Sequence, residues 1–588
     1  MNLSLAGQRE KRRDAHRRRP GFPVAAILAG ALVAVAVAVT ACGGPASAGQ
    51  QPAGQQPAVW PGAVTDGPSG IPGNSPAPAD NAVYTQRGSN LRVGWDSNET
   101  VLNTSDVNVK DFGRVAAFPV RGRIYSQPLF VPGLTIHGVT RNVVIVTTED
   151  DQVYAFDADA AGSQPALLWH TSFLGHGATP VNDADTLHCT YITPNVGVTG
   201  TPVIDRATGT MYLVTVMMEG SHIVDSMHAL SITTGHDVIA PVVLNASVRG
   251  TGAGSSHGIL PFDPQIADQH AALLLDQGVV YVAFSGYCGR VPDHGWVLGY
   301  DASNLRQAVV WNDTPDDIDG GIWQAGTGLV ADPAGDIYLT TGNGPFNLNT
   351  GGTDAGDSLL ELHRDGSTLK IVDYFTPYYQ DCMMLHDEDF SSGGPLMLPS
   401  EIIAVAKAGA FWVINRSDLG GYHTIPDPCQ HLNEVHVDHI IQETPQQTIN
   451  GGVWGALAYW NDGKDGFIYT AGIADHLKAW HLADGKIVLP AASQAPETMA
   501  YPGAIPMGSS DGPDPGTGIV WAFDDENGAV LHAYAATDVA RELWNSSQDK
   551  ARDSIPRAGY DNFTLPTVAA GRVYLGTSGE LLVYGLLH

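Results

Sequence analysis

From about residue 106 onward, short runs of β-branched, aromatic and aliphatic residues alternate with clusters of Gly, Pro, Asp and Asn. Between the runs, apolar positions do not recur at the three-and-four spacing of a helix. Instead one unit repeats. A small or polar residue, often with Pro, leads into a first apolar run. A turn, a second run, another turn and a third run follow. The first runs are SQPLF at 126–130, GTPVI at 200–204, AALLL at 271–275, GTGLV at 326–330, GGPLM at 393–397, GALAY at 455–459, GAIPM at 503–507 and TLPTV at 564–568. Second runs include VVIVTT at 143–148, VVYVAFS at 279–285 and RVYLGTS at 572–578. Third runs such as QVYAFDADAAG at 152–162 and IVWAFDDENG at 519–528 end close to Asp-x-x-x-Gly. That ending is a tight-turn signal ahead of an outer strand, as at LLWH 167–170.

Short, evenly spaced strands with this period predict an all-β chain folded as a single β-propeller of four-stranded antiparallel blades. Eight units are counted, and seven blades remain the alternative if two short units merge. The last unit reaches 588 after only three strands. The segment FGRVAAFP at 112–119 is free to supply the fourth. Pairing of 112–120 with 581–585 would close the ring with strands from both ends of the repeat region and leave no open sheet edge.

The N-terminal region reads as an address. Basic residues end at Arg19, and 24–41 is an uncharged run of small and apolar residues. Val39-Thr40-Ala41-Cys42 resembles a bacterial lipobox, so 1–41 is expected to be a lipoprotein signal peptide and Cys42 its lipidation site. An uncleaved signal anchor is the alternative; both would export the body and tether it outside the cytoplasm. Residues 43–80 hold eight Pro, eight Gly and no Lys or Arg. Such a segment buries too little surface to offset its ordering entropy, so 42–85 is expected to be a flexible tether and 86–588 the propeller.

Composition narrows the function. The chain of 588 residues carries 30 Lys and Arg against 61 Asp and Glu, and the basic leader leaves the rest more acidic still. That field repels phosphate backbones and anionic headgroups, so no nucleic-acid partner is expected and the membrane is reached only through the N-terminal lipid. Apart from Cys42 there are four cysteines, an even number suited to an oxidising compartment. Of three connectivities, Cys189–Cys288 with Cys382–Cys429 is preferred because each pair joins neighbouring repeats.

The third-run endings resemble the pyrroloquinoline quinone (PQQ) repeat of quinoprotein propellers over most of 106–588, most sharply within 320–421. There Ala331-Asp332-Pro333, Tyr338, Thr341-Gly342-Asn343-Gly344 and Phe346-Asn347 resemble the calcium-site region of PQQ-dependent alcohol dehydrogenases. Asp387-Glu388-Asp389-Phe390 resembles the segment holding their catalytic aspartate. Lys407 stands where those enzymes commonly have Arg. The resemblance implies Asn343 as a calcium ligand, Asp389 as the base that removes an alcohol proton, and Lys407, with Trp323 nearby, as cofactor contacts. Three features depart from the pattern. No two cysteines are adjacent, the position of the quinone-stacking Trp falls in Gly326-Thr327-Gly328, and no second carboxylate ligand for calcium is evident. With no Cys-x-x-Cys-His haem motif, an enzyme here would need an external electron acceptor.

Two readings follow. One is an exported binding or scaffolding propeller presenting its mouth to a protein or glycan, similar in style to PQQ-like propeller lipoproteins that assist outer-membrane protein assembly. The other is a PQQ- and calcium-dependent dehydrogenase of an alcohol or sugar. Convergence of Asn343, Asp389 and Lys407 near the ring axis is required by the second.

Overall fold

The computed structural model describes residues 81–587 except 161–165, 176, 187, 290–291, 435–436, 526–527 and 557–562. The apolar run 24–41, Cys42 and the tether up to 80 lie outside the described residues.

Eight small sheets form the blades. Their inner strands are Leu129–Ile136, Val203–Asp205, Leu274–Asp276, Val330–Ala331, Leu396–Met397, Ala458–Asn461, Met507–Ser509 and Thr567–Ala569. Each begins inside one of the eight first runs. Blade 1 shows the plan: Leu129–Ile136, Val139–Thr148, Gln152–Asp157 and Leu167–Ser172 pair antiparallel in chain order. The second strands are buried over most of their length, Val279–Gly286 entirely, because both faces meet neighbouring blades, whereas Val139–Thr148 of blade 1 is exposed at its start. Large aromatics fill those seams, with Trp412, Trp460, Trp480, Trp521 and Trp544 all fully buried.

The ring closes as expected. Phe112–Arg123 pairs antiparallel with Ser578–Leu586, from Phe112 opposite Leu586 to Pro119 opposite Glu580. The blades are not all four-stranded. Gly421–Tyr422 adds a parallel strand outside blade 4, and Trp95–Asp96 adds one inside blade 7. Both disulfides are those preferred from the repeat order, Cys189–Cys288 and Cys382–Cys429.

The boundary of the tether is corrected at its end. Ala82, Val83 and Thr85 are buried, and Val83 bridges to Phe130, so residues 81–85 belong to the ring. From there the chain visits every blade in turn. Val83 bonds to Phe130 of blade 1, Tyr84 to Ile204 of blade 2, and Asn90 to Leu275 of blade 3 and Ala331 of blade 4. Leu91 then meets Met397, Val93 meets Tyr459, Gly94 meets Gly508, and the Glu99 carboxylate takes the Gly571 N–H of blade 8. Two fully buried arginines anchor this inner lining. Arg92 donates to Leu273 O and Leu329 O, and Arg87 to Leu457 O and Pro506 O. Short inner strands leave carbonyls facing the axis, and guanidinium forks satisfy them.

Candidate functional site

Blade-to-blade connectors ring the mouth at which the inner strands begin. In blade 4 the second strand, Ile337–Thr340, runs antiparallel to the inner one and so ends at this mouth. Asn343 lies in the loop that follows. Lys407 follows Glu401–Val405, the second strand of blade 5, for the same reason. Asp387 and Asp389 come from the connector between the two blades. Asp387 caps the helix Gln380–His386 in the left-handed region, and Asp389 precedes the single turn Phe390–Ser392.

These residues converge. The Asn343 N–H donates to Asp389 Oδ1 at 3.0 Å, and its side-chain Nδ2 donates to Asp387 Oδ1 at 2.9 Å. Lys407 Nζ donates to Asp387 Oδ1 at 3.1 Å and to Asp389 Oδ2. Gly342 is required by the approach: a Cβ there would stand 2.8 Å from Asp389 Oδ1. Burial opposes the Lys407 charge, but Asp389 and Asp387 outweigh it and hold the ammonium protonated above its ordinary range. Behind them lies Asp357, fully buried, accepting the Phe390 N–H at 3.2 Å. Burial, and then the charge of Asp389, raise its carboxyl well above the usual range.

Sequence reasoning named Asn343, Asp389 and Lys407, and the structure brings the three together. It gave Asp387 no role beyond the segment that holds Asp389, and passed over Asp357. Asp357 sits in a Gly-Asp-Ser turn with no local signal of its burial. Trp323 is placed beside this group rather than in it. Its backbone N–H donates to Ser391 Oγ at 3.4 Å, while its ring packs edge-on against Tyr191 at 5.4 Å.

That ring contact is one link in a girdle. Tyr191 neighbours His270 at 6.3 Å, His270 neighbours Phe563 at 5.1 Å, and Phe563 neighbours Tyr501 at 6.4 Å. Tyr501 neighbours Trp454 at 6.1 Å, and Lys407 Nζ lies 5.7 Å from the Trp454 ring. Each aromatic comes from a different connector, and the His270–Phe563 contact carries the chain of rings across the axis and back to the polar group. Trp323, Tyr191, Tyr501 and Trp454 are half-buried, and the Tyr191 hydroxyl donates to buried Asp268.

The residues fit a hard cation better than they fit a stacked quinone. Asn343 Oδ1 is buried and has no hydrogen-bond partner, which leaves a hard oxygen donor available beside two carboxylates. The position of the family's stacking Trp is another matter. Gly326 has φ +67°, and a Cβ there would lie 2.2 Å from Ile505 Cδ1. Ile505 packs with Ala325, Ala456, Met507, Phe563 and Leu565, so apolar side chains fill that part of the axis.

No protein-family model matches this chain, and no curated protein matches it by sequence. Solved structures do. A quinohemoprotein alcohol dehydrogenase from Pseudomonas putida is similar over 87% of this chain and 83% of its own, at 14% identity and a TM-score of 0.56. One from Comamonas testosteroni is similar over 87% of this chain and 81% of its own, at 13% identity and a TM-score of 0.56. A europium-containing methanol dehydrogenase is similar over 86% and 98% respectively, at 13% identity and a TM-score of 0.49. At such identities the likeness is one of fold: the chain is an eight-bladed β-propeller similar in fold to the two quinohemoprotein alcohol dehydrogenases.

Proposed function

We propose that this chain is an exported, lipid-tethered propeller that works as a binding module, with a glycan as its ligand at the girdled mouth. The observation that carries this is the row of half-buried aromatic side chains that runs up to Asn343, Asp387, Asp389 and Lys407 at the mouth. Flat aromatic rings suit the apolar faces of sugar rings, and carboxylate, amide and ammonium groups suit hydroxyls. The lipobox-like Val39–Cys42 stretch and the Pro/Gly-rich segment support export and tethering. Titration with neutral oligosaccharides, followed by tryptophan fluorescence and calorimetry, tests the reading. Saturable binding is expected, weakened at least tenfold by Trp454→Ala and by Lys407→Ala with folding retained. Binding indifferent to both substitutions, or no binding across a broad glycan panel, would refute it.

The unpartnered Asn343 Oδ1 favours a second reading, a PQQ- and calcium-dependent dehydrogenase of an alcohol or sugar. Asn343 would hold the calcium, Lys407 would hold a cofactor oxygen, and Asp389 would take the proton from the substrate hydroxyl. Bound quinone would supply the hydride acceptor. The filled space at Gly326 weighs against it, because the quinone's stacking floor is absent there. Dye reduction with added PQQ, calcium and an alcohol, abolished by Asp389→Asn, would put this reading first.

A further inference from the structure

On the outer strands, a second cluster of donors lies on the seam between blades 6 and 7. Glu497 is on Ser493–Met499, an outer strand of blade 6. His532 is on Val530–Ala535 and Glu542 on Asp538–Asn545, both of blade 7. The two outer edges are stitched by the Val539 N–H donating to Ser493 Oγ at 3.0 Å. A bulge in blade 7 aims one of the donors. His532 faces Asn545 and Ala533 faces Trp544, but Tyr534 faces Glu542, so one residue is skipped. The skip turns Glu542 onto the face that carries His532 and Tyr534, which is what bulges do to side-chain direction.

We propose that Glu497, His532 and Glu542 form a divalent transition-metal site that clips blade 6 to blade 7, and that zinc is the cation it suits best. Among the described residues this is the His, Cys, Asp and Glu group whose ligand atoms all lie within 4.8 Å of one another. His532 Nδ1 stands 2.7 Å from Glu542 Oε1 and 3.4 Å from Glu497 Oε1. Tetrahedral zinc with bonds of about 2.0–2.1 Å separates its ligands by about 3.3–3.5 Å, so the donors are already near the required edges.

The surroundings support a built site. Glu497 Oε1 is buried and has no hydrogen-bond partner. Asn545 Nδ2 holds Glu542 Oε2 at 2.9 Å, leaving Oε1 as the donor, and Tyr534 stacks parallel to the His532 ring at 5.7 Å. Groups that orient the ligands in this way are a regular part of metal sites. The side chain of His532 is only 8% exposed, whereas those of Glu497 and Glu542 are 30% and 20% exposed. Water can therefore reach the open side as a fourth ligand. One imidazole and two carboxylates, without thiolate, suit zinc; three protein donors are too few for the six to eight oxygens that calcium takes.

The site shares no residue with the girdled mouth, so its test is independent of the function proposed above. The full chain, stripped with chelator and dialysed, is titrated with zinc chloride by calorimetry and with cobalt chloride by visible absorption. One equivalent of zinc is expected to bind saturably at micromolar or tighter concentration and to raise the melting temperature. Cobalt is expected to give d–d bands of a low-coordinate nitrogen and oxygen site. Glu497→Gln and His532→Ala should each weaken binding at least a hundredfold and erase the bands, while Lys110→Ala, at an exposed position outside both sites, leaves both intact. Glu497→Gln, at a partly exposed position, keeps the test sound if His532→Ala misfolds. A protonated imidazole bridging two carboxylates is the competing account. It predicts no saturable zinc binding below millimolar concentration, or binding unaffected by either substitution, and either result would overturn the proposal.

Discussion

Replacing Arg92 with Ala should loosen the whole inner lining of the ring. Arg92 is 1% exposed, and its guanidinium makes four bonds: Nε to Leu329 O at 3.1 Å, Nη1 to Thr85 Oγ1 at 2.7 Å and Gln86 O at 2.8 Å, and Nη2 to Leu273 O at 3.1 Å. Burial pulls its pKa down to about 9, which still leaves it charged at neutral pH. Truncation strips the donor from three buried carbonyl oxygens, at about 1–3 kcal/mol each. Relief of the buried charge and entry of water into the vacated space offset part of this. The net loss should be about 3–5 kcal/mol, large for a single residue. Arg92→Lys should lose roughly half as much, because an ammonium cannot reproduce the planar fork. Urea unfolding read by tryptophan fluorescence measures the loss, and limited proteolysis should newly cleave within 81–99. Arg541→Ala, at an exposed position, serves as control and should stay within about 0.5 kcal/mol of the parent. If Arg92→Ala costs less than about 1 kcal/mol and 81–99 stays protected, the segment is not an integral lining and the account of it is wrong.

Three further outcomes are expected. Burial pushes Glu149 up to about 8 and Asp268 up to about 7, so folding takes up protons that the unfolded chain releases above about pH 4. Stability from these groups is full below that pH and is lost as pH rises to 7–8; Glu149→Gln should flatten the profile and melt above the parent at pH 8. Cys189→Ser opens a cross-link between residues 99 apart and should cost about 2–5 kcal/mol, read from denaturation under non-reducing conditions. Cys42→Ser should release the protein from the membrane fraction or block its processing; a mutant that stays membrane-bound at full precursor length would establish the signal anchor instead.

Much of the ring could be read along the chain because propeller strands are local. Each blade is a meander of neighbouring runs, so short apolar runs set between turn signals located all eight inner strands, and the missing fourth strand pointed to 112–119. Asn343, Asp389 and Lys407 were reachable for a related reason. Each follows or precedes an inner or second strand, and the repeat delivers those ends to one mouth.

What the chain order did not reveal depends on contacts across the ring. Residues 83–99 carry no strand or helix pattern, since their partners are main-chain groups of eight blades up to 472 positions away. Arg87 and Arg92 therefore read as ordinary charged residues until carbonyls from blades 3, 4, 6 and 7 surround them. The chain of rings through Tyr191, Trp323, Trp454 and Tyr501 is likewise invisible until connectors from separate blades meet at one axis. Gly326 as a seat for Ile505, and Glu497 beside His532 and Glu542, exist only where neighbouring blades pack. Periodicity determined the strands and the order of the blades; closure into a ring decided which side chains face one another, because burial and charge act through space rather than along the chain.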